Sequence, residues 1–216
     1  MKICFTSDTH HTVDIDKWIP ECDVFVHCGD LCQTGYPDDW KLQLEWLKNI
    51  PAPIRLFCPG NHDFHLQIYP GPALQDLRSV GVTCIGLPRN DNFAAHLLPN
   101  GMTLLGLPGV TKLPRWAFNR TEDELEKYLK LIKYHPIIVS HAPPYGFLDQ
   151  VNGESVGIRA YAEHAFVHKP KHWIFGHIHE NGGKSITHSI TKTQFHNVAM
   201  CDRIQQHTNP PLILDL

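Results

Sequence analysis

The sequence predicts an α/β fold: a four-layer α/β/β/α sandwich in which two mixed sheets pack face to face between outer helices. Short apolar runs rich in Ile, Val and Phe recur along the chain, with amphipathic helical patterns between them. The number of strands in so short a chain favours two packed sheets. A length of 216 residues suits one compact unit, so a single domain is predicted over residues 1–216.

The predicted strands follow one another along the chain as short apolar runs that end in polar clusters. The five main strands are predicted over residues 2–6, 24–27, 54–58, 137–139 and 172–175. Two further strands are predicted over 82–85 and 102–107. The last part of the chain predicts a closing meander over 186–190, 194–198 and 212–214.

Two helices are predicted from apolar residues that recur with helical spacing. The first spans residues 38–47 and places Trp40 and Leu47 on one face. The second spans residues 121–132 and begins with Thr121 three residues before Glu124, which is the pattern of a capping box. Both helices are expected on the outer faces of the sheets.

Composition and charge limit the classes of partner and the cellular compartment that we expect for the protein. The formal net charge is −3 and Lys and Arg are scattered singly, so no duplex nucleic acid is expected as a partner. No apolar stretch has the length of a membrane span, so no membrane association is expected. The seven cysteines lack paired metal-ligand spacing, which predicts reduced, mostly buried thiols and a cytoplasmic protein.

Side chains that can bind a metal ion follow each of the five main strands. In chain order they are Asp8, His10, Asp30, Asn61, His141, His177 and His179. Because strand ends at one edge of a sheet converge in space, we expect these seven side chains to lie together. The chain also has sixteen histidines, more than packing requires, which favours metal ligation.

This set of donors predicts two metal ions. Carboxylate, carboxamide and imidazole donors without thiolates suit divalent or trivalent ions such as Mn, Fe or Zn. Two cations about 4 Å apart repel each other and need a shared anion between them. Asp30 is the natural bridging ligand, with a hydroxide as the second bridge.

These residues resemble the motifs of the calcineurin-like metallophosphoesterase superfamily: D-x-H, G-D, G-N-H-D/E, a lone His and G-H-x-H. All five motifs are present in that order. The resemblance implies the metallo-dependent phosphatase fold and a dinuclear centre bridged by Asp30. It assigns one metal to Asp8, His10 and His179, and the other to Asn61, His141 and His177.

The same resemblance implies two catalytic residues beside the metals. His62 would lie next to the substrate, where it protonates the departing alkoxide or holds a phosphoryl oxygen, and Asp63 would orient the ring of His62. His11 and His65 adjoin the ligand loops but fill no motif position, so structural roles are the default for both.

The similarity extends to the animal metallophosphoesterase-domain-containing (UPF0046-like) proteins and to class III cyclic nucleotide phosphodiesterases. It is carried by residues 142–149 and by the chain end over 208–216. Some animal members have glycine at the position of His177, so the histidine here implies a complete centre. Five residues could form a base-stacking wall for a nucleotide or, alternatively, anchor loops and core: Trp116, Phe118, Asn119, Tyr145 and Phe147.

The predicted activity is hydrolysis of small phosphodiesters, with cyclic nucleotides as candidate substrates, by attack of a metal-bound hydroxide. A phosphomonoesterase or protein phosphatase is the alternative within enzymes, although the sequence identifies no basic residues near the metals. The alternative outside enzymes is a metal-retaining binding or regulatory module with slow turnover. The expected partner is a small phosphate ester such as a nucleotide, and the expected assembly is a monomer or homodimer.

Overall fold

The computed structural model of the chain describes residues 1–10, 15–87 and 95–216. These residues form two mixed β-sheets flanked by α-helices, and a separate small sheet of two antiparallel strands, Gln150–Val151 and Glu154–Ser155; the two mixed sheets confirm the predicted fold class. His11 lies outside the described residues. Among the helices that the structure describes, none is long and apolar enough to cross a membrane.

The observed strands agree with most of the predicted ones to within one or two residues. In chain order they are β1 Lys2–Thr6, β2 Val24–His27, β3 Ile54–Phe57, β4 Val82–Cys84, β5 His96–Leu97, β6 Thr103–Leu107, β7 Ile137–Ser140, β8 Gln150–Val151, β9 Glu154–Ser155, β10 His172–Phe175, β11 Ser185–Thr187, β12 Gln194–Asn197 and β13 Leu212–Asp215. The strand predicted over 186–190 is the main exception, because β11 ends at Thr187.

The two predicted helices are present, and the described residues include three further α-helices. The helices are α1 Pro37–Asn49, α2 Phe64–Ile68, α3 Pro70–Ser79, α4 Glu122–Leu129 and α5 Arg159–His168. The helix predicted over 121–132 corresponds to α4 but ends at Leu129. The chain tightens into a turn there, with the N–H of Ile132 donating to the carbonyl of Leu129 over 3.1 Å.

The local sequence does not indicate α3 or α5, for a different physical reason in each case. Pro70 and Pro72 indicate a loop, yet both stand in the first turn of α3, where a helix needs no N–H donors. In α5 the consecutive residues Ala160, Tyr161 and Ala162 are all buried, so no clear polar face marks the helical period.

The two sheets share a pattern of parallel central strands with antiparallel edge strands. The first sheet has the order β13-β1-β2-β3-β4, and only β13 is antiparallel to its neighbour. The second has the order β11-β12-β10-β7-β6-β5, with β11 and β5 antiparallel. Within each sheet the carboxyl ends of the parallel strands therefore lie at one edge.

The predicted closing meander is wrong. β11 and β12 do form an antiparallel pair, but β12 also pairs in parallel with β10. β13 lies in the other sheet, where Asp215 pairs with Lys2 and Leu212 pairs with Phe5. The apolar pattern of residues 212–214 identifies a strand, but it does not specify which sheet edge that strand completes.

Successive side chains along a strand point to opposite faces of its sheet, so each sheet contributes to a separate hydrophobic core on either face. In β1, Ile3 and Phe5 face the space between the sheets, together with residues of the second sheet such as Ile174. Cys4 faces the opposite side, where α1, α2 and α3 pack with Trp40 as a large buried residue. On the outside of the second sheet, α4 and α5 cover a third core.

Candidate metal centre

Loops that follow the parallel strands of both sheets meet at one end of the sandwich. The sheets are joined there by backbone bonds between Ser7, just after β1, and the segment after β12. The N–H of Ser7 donates to the carbonyl of Val198 over 3.1 Å, and the N–H of Met200 donates to the carbonyl of Ser7 over 2.9 Å. This junction brings side chains from the two sheets to a common site.

The first ligand group, Asp8, His10 and His179, combines the loop after β1 with the loop after β10. The nearest ligand atoms of these three residues all lie within 4.8 Å of one another. Oδ1 of Asp8 is 3.2 Å from Nε2 of His179 and 3.9 Å from Nε2 of His10. Asp8 is completely buried, so its carboxylate has little access to solvent water.

The second ligand group, Asp30, Asn61, His141 and His177, draws on the loops after β2, β3, β7 and β10. The ligand atoms of Asp30, His141 and His177 again lie within 4.8 Å of one another, and Oδ1 of Asn61 is 3.1 Å from Nε2 of His141. Asp30 lies between the groups, with Oδ1 3.3 Å from His141 and Oδ2 3.9 Å from His10. The structure thus brings all seven predicted ligands to one site, with Asp30 between the two groups.

Four of these residues adopt the left-handed backbone conformation that side chains other than glycine rarely occupy. The φ angles are 54° for Asp8, 44° for His10, 53° for Asp30 and 67° for His177. Such conformations are costly unless the surrounding structure imposes them, and they concentrate at functional sites. Each one turns the chain sharply at the end of a strand, which directs the ligand towards the shared centre.

Two glycines allow the ligand loops to approach each other closely. A Cβ atom at Gly60 would collide with the backbone nitrogen and the carboxylate of Asp30. A Cβ atom at Gly176 would collide with the carboxylate of Asp8 and the side chain of Ser7. A side chain at either position would therefore displace a carboxylate of the site.

The tautomers of two histidines leave their lone pairs directed at carboxylates. Nδ1 of His141 lies 3.0 Å from the carbonyl oxygen of Cys28, which can only accept, so Nδ1 donates and Nε2 faces Asp30. Nδ1 of His179 likewise lies 3.0 Å from a backbone carbonyl, and its Nε2 faces Asp8. Two acceptors that face each other need a cation between them, which is a proton on the ring nitrogen or a metal ion in its place, so these residues fit a metal site.

The electrostatics of the site favour ionised carboxylates beside cationic partners. Burial alone would lower the pKa of His141, but the charge of Asp30 raises it to about 9. Burial likewise opposes the charge on His179, yet the hydrogen bond to Asp8 raises its pKa to about 9. Burial and the charge of His141 lower the pKa of His177 to about 4. A metal ion that binds here at neutral pH therefore displaces protons from His141 and His179.

His62 lies beside both ligand groups, with its ring held from three sides. Its Nδ1 is 2.6 Å from the carbonyl oxygen of Gln33 and donates to it, which directs Nε2 towards Asp30 at 3.9 Å from Oδ2. The ring centroid lies 4.6 Å from that of His10 and 4.4 Å from that of Trp116. The free edge of the imidazole thus faces the shared carboxylate.

The prediction that Asp63 orients the ring of His62 is wrong, because Gln33 makes that contact. The carboxylate of Asp63 instead accepts hydrogen bonds from four backbone N–H groups, at distances of 2.7 to 3.1 Å. The donors are Asp30, Leu31, Cys32 and Gly60. Asp63 therefore ties the loop after β2 to the loop after β3 and positions Asp30 through its backbone.

A cavity of about 500 Å³ opens over the ligand groups and His62. Its wall includes two cationic residues, Lys112 and Arg203, which lie outside the ligand motifs of the sequence. The guanidinium of Arg203 is held by Glu180, with Nε 3.2 Å from Oε1, and by Asn152, which accepts from Nη2 over 3.1 Å. Neither cation lies within a recognisable motif, so only the folded chain identifies them.

The residues considered for a base-stacking wall mostly serve as anchors. Phe118 and Phe147 are buried in the two outer cores, and Tyr145 packs against one of these cores. Trp116 is 38% exposed and contacts the ring of His62. Trp116 is not among the residues that line the cavity, and its link to the site is this contact with His62.

The proteins that this chain resembles in sequence point to one family. A family model described as calcineurin-like phosphoesterase matches residues 1–181. Human metallophosphoesterase domain-containing protein 1 is 29% identical, over 97% of this chain and 69% of its own length. The Caenorhabditis elegans UPF0046 protein K07C11.7 is 27% identical, over 99% of this chain and 74% of its own length. Among solved structures, TT1561 of Thermus thermophilus shares the fold, with a TM-score of 0.65 and 14% identity over 92% of this chain and 90% of that one.

Proposed function

Because the chain belongs to the calcineurin-like phosphoesterase family, we propose that it is a metal-dependent hydrolase of small phosphodiesters, with cyclic nucleotides as candidate substrates. The family and the clustered His and Asp side chains support metal-dependent hydrolysis of a phosphate ester. The observation that carries the proposal is the position of Asp30 between two sets of ligands. A single carboxylate shared in this way suits two cations held close together.

The proposed metals are divalent or trivalent Mn, Fe or Zn, held by the two ligand groups defined above. When bound, such a metal pair neutralises phosphate oxygens and activates water for attack on phosphorus. The oxygen and nitrogen donors, with no thiolate among the predicted ligands, favour these metals over soft ions. All seven cysteines are free, and six of them are buried, which supports the proposed cytoplasmic location.

The protein's own residues supply positioning and proton transfer. His62 is proposed to donate a proton to the departing alkoxide, since the carbonyl of Gln33 fixes its ring with Nε2 towards the site. Asp63 keeps the shared carboxylate of Asp30 in place through the backbone. The proposed partner of the site is a small phosphate ester, and the cavity volume of about 500 Å³ supports this, because it lies within the range of small-molecule sites.

A second candidate, hydrolysis of phosphomonoesters, is supported by the two cations in the cavity wall. A monoester carries more negative charge than a diester, and Lys112 and Arg203 could bind the additional charge. Arg203 already pairs with Glu180, which reduces the net positive charge that it offers to a ligand. This pairing is the reason that the diester remains the first proposal.

The deciding experiment is a substrate panel on protein reconstituted with Mn²⁺. The panel contains bis(p-nitrophenyl) phosphate, p-nitrophenyl phosphate, and 2′,3′- and 3′,5′-cyclic nucleotides. We expect kcat/KM for diesters to exceed that for monoesters by at least about tenfold, which corresponds to about 1.4 kcal/mol of transition-state stabilisation. The reverse preference would establish the monoesterase instead.

His62→Gln tests the catalytic assignment, with His65→Gln as the matched control. Loss of a general acid should lower kcat by about 10² to 10⁴ while metal content stays unchanged. His65 stacks on Trp40 at 5.3 Å, so its replacement should leave turnover close to that of the wild type. The double variant Asp30→Ala, His62→Ala serves as the inactive reference. If the wild type hydrolyses every substrate no faster than this variant, the protein is a binding or regulatory module and not an enzyme.

A further inference from the structure

Two valines present apolar surface to the cavity over the candidate metal centre. Val151 is the second residue of β8 and Val156 directly follows β9, and both line the cavity of about 500 Å³. Within the described residues, neither valine belongs to one of the three hydrophobic cores. Val156 is 37% exposed. Apolar surface that faces water is unfavourable, so a ligand that covers these side chains gains affinity.

The pairing of β8 with β9 places the two valines on one face of a hairpin. Val151 lies opposite Glu154, and Val156 follows Glu154 by two residues, so both valines point to the same side. The N–H of Val156 donates to the carbonyl of Asp149 over 3.1 Å, which continues the pairing to this position. The turn at residues 152–153 has φ angles of 51° and 87°, both positive, as a two-residue turn of type I′ requires.

The hairpin is held to the segment that follows β10 at both of its ends. At the tip, Oδ1 of Asn152 accepts a hydrogen bond from Nη2 of Arg203 over 3.1 Å, and Arg203 also pairs with Glu180. At the base, the carbonyl of Gln150 accepts from Nδ2 of Asn181 over 3.2 Å. Glu180 and Asn181 directly follow the last of the predicted metal ligands. A surface fixed in this way is formed before a ligand arrives, which lowers the entropy cost of binding.

The lining of the cavity combines polar ligand groups with apolar side chains. Leu113 lines it together with the two valines, and its backbone is fixed because its N–H donates to Oδ1 of Asn119 over 2.9 Å. We call the side chains of Val151, Val156 and Leu113 the apolar wall. Sites of this volume hold ligands much larger than a phosphate group, so the cavity has room for an organic group beside the phosphate.

We propose that the apolar wall binds the organic group of the phosphodiester, and that this group carries an aryl or nucleobase ring. The inference rests on the proposed function, since the phosphate has to be held at the metal centre. Valine and leucine side chains form no hydrogen bonds, so the wall responds to the apolar area of a ring and not to the edge of a particular base. A diester with only small alkyl groups leaves the wall uncovered and binds more weakly.

The test measures the binding of two phosphonates, which contain no ester bond that the protein could hydrolyse. Phenylphosphonate and methylphosphonate are titrated by calorimetry into protein loaded with Mn²⁺, at a pH at which both are dianions. We expect the wild type to bind phenylphosphonate at least about tenfold more tightly than methylphosphonate. Val151→Ser and Val156→Ser should each lower this ratio by at least about fourfold, which is the contribution of one buried methylene group.

Val167→Ser is the matched control, because Val167 is an exposed valine, as Val156 is, and does not line this cavity. This variant should keep the ratio of the wild type. Affinity for methylphosphonate should be equal in all four proteins, which shows that fold and metal centre are intact. A ratio near one in the wild type, or an unchanged ratio in both wall variants, would overturn the inference while the proposed function stands. If the wild type binds neither phosphonate, the proposed phosphate site is wrong, and the inference with it.

Discussion

At the scale of single residues, the site depends on side chains that bind the backbone of neighbouring loops and do not contact the substrate. Asp63 adjoins His62 in the sequence, yet its carboxylate binds backbone N–H groups of the loops after β2 and β3. In turn, the N–H of His62 donates to Oδ1 of Asp30 over 2.8 Å. Two neighbouring residues of the loop after β3 thus position the shared carboxylate: His62 through its own N–H, and Asp63 through the backbone N–H of Asp30.

We expect Asp63→Asn to weaken metal binding as well as folding. The carboxamide keeps one acceptor oxygen but directs N–H donors at backbone N–H donors, so buried groups lose their partners at about 1–3 kcal/mol each. Loss of such support for a metal ligand typically lowers metal affinity by about 10- to 100-fold. Calorimetric titration with Mn²⁺ and urea unfolding measure the two effects.

Asp149→Asn is the matched control for this prediction. Asp149 is also buried, and its Oδ2 accepts backbone N–H bonds from Gly146 and Gly157, both over 2.9 Å. This variant should lose stability while it keeps the metal affinity of the wild type. If Asp63→Asn behaves in the same way as the control, Asp63 does not position Asp30.

At the scale of elements, the ends of strands and the starts of helices are determined by residues close by in the sequence. The ligand loops begin where β1, β2, β3, β7 and β10 end, and left-handed residues such as Asp8 and Asp30 turn the chain there. The start of α4 is equally local. Oγ1 of Thr121 accepts from the N–H of Glu124 over 3.2 Å, and the Glu124 carboxylate accepts from the N–H of Thr121 over 2.8 Å.

Thr121→Ala should destabilise the protein by about 1 kcal/mol, because it removes the side-chain acceptor at the start of α4. Chemical denaturation measures the loss directly. Lys127→Ala, on the exposed surface of the same helix, should change the free energy of unfolding by no more than about 0.5 kcal/mol. Equal effects of the two substitutions would show that the capping box contributes nothing.

At the scale of the whole molecule, buried neutral histidines make stability depend on pH. Burial, followed by the charge of His172, lowers the pKa of His196 to about 4, and burial lowers that of His164 to the same value. Between an unfolded pKa of about 6.5 and this folded value, the unfolded chain binds more protons than the folded one. Each such histidine therefore reduces stability as pH falls through this range, by at most about 1.4 kcal/mol per pH unit.

The expected result is a free energy of unfolding that decreases more steeply with acid in the wild type than in His196→Gln. Urea unfolding at several pH values between about 7 and 4.5 gives both slopes. His196→Gln also loses a hydrogen bond to Ser185, so the comparison uses the slope and not the absolute stability. Parallel curves for the two proteins would mean that His196 titrates alike in the folded and unfolded chains.

The sequence alone determined the strands of the central core, the order of the ligand motifs and the family. These depend on alternation of apolar residues and on short spacings, which neighbours along the chain define. Asp8 and Asp30, for example, are recognisable because each follows an apolar strand within a few residues.

The tertiary structure alone decided which distant groups became partners. It placed β13 beside β1 and brought Lys112 and Arg203 to the cavity. It also made backbone N–H groups, and not His62, the hydrogen-bond partners of the Asp63 carboxylate. The apolar pattern of a strand fits more than one sheet edge. The residues next to a surface cation in the sequence do not indicate where the folded chain will place it. Such pairings arise from packing across the whole chain, where burial and hydrogen bonding between segments remote in sequence select one arrangement.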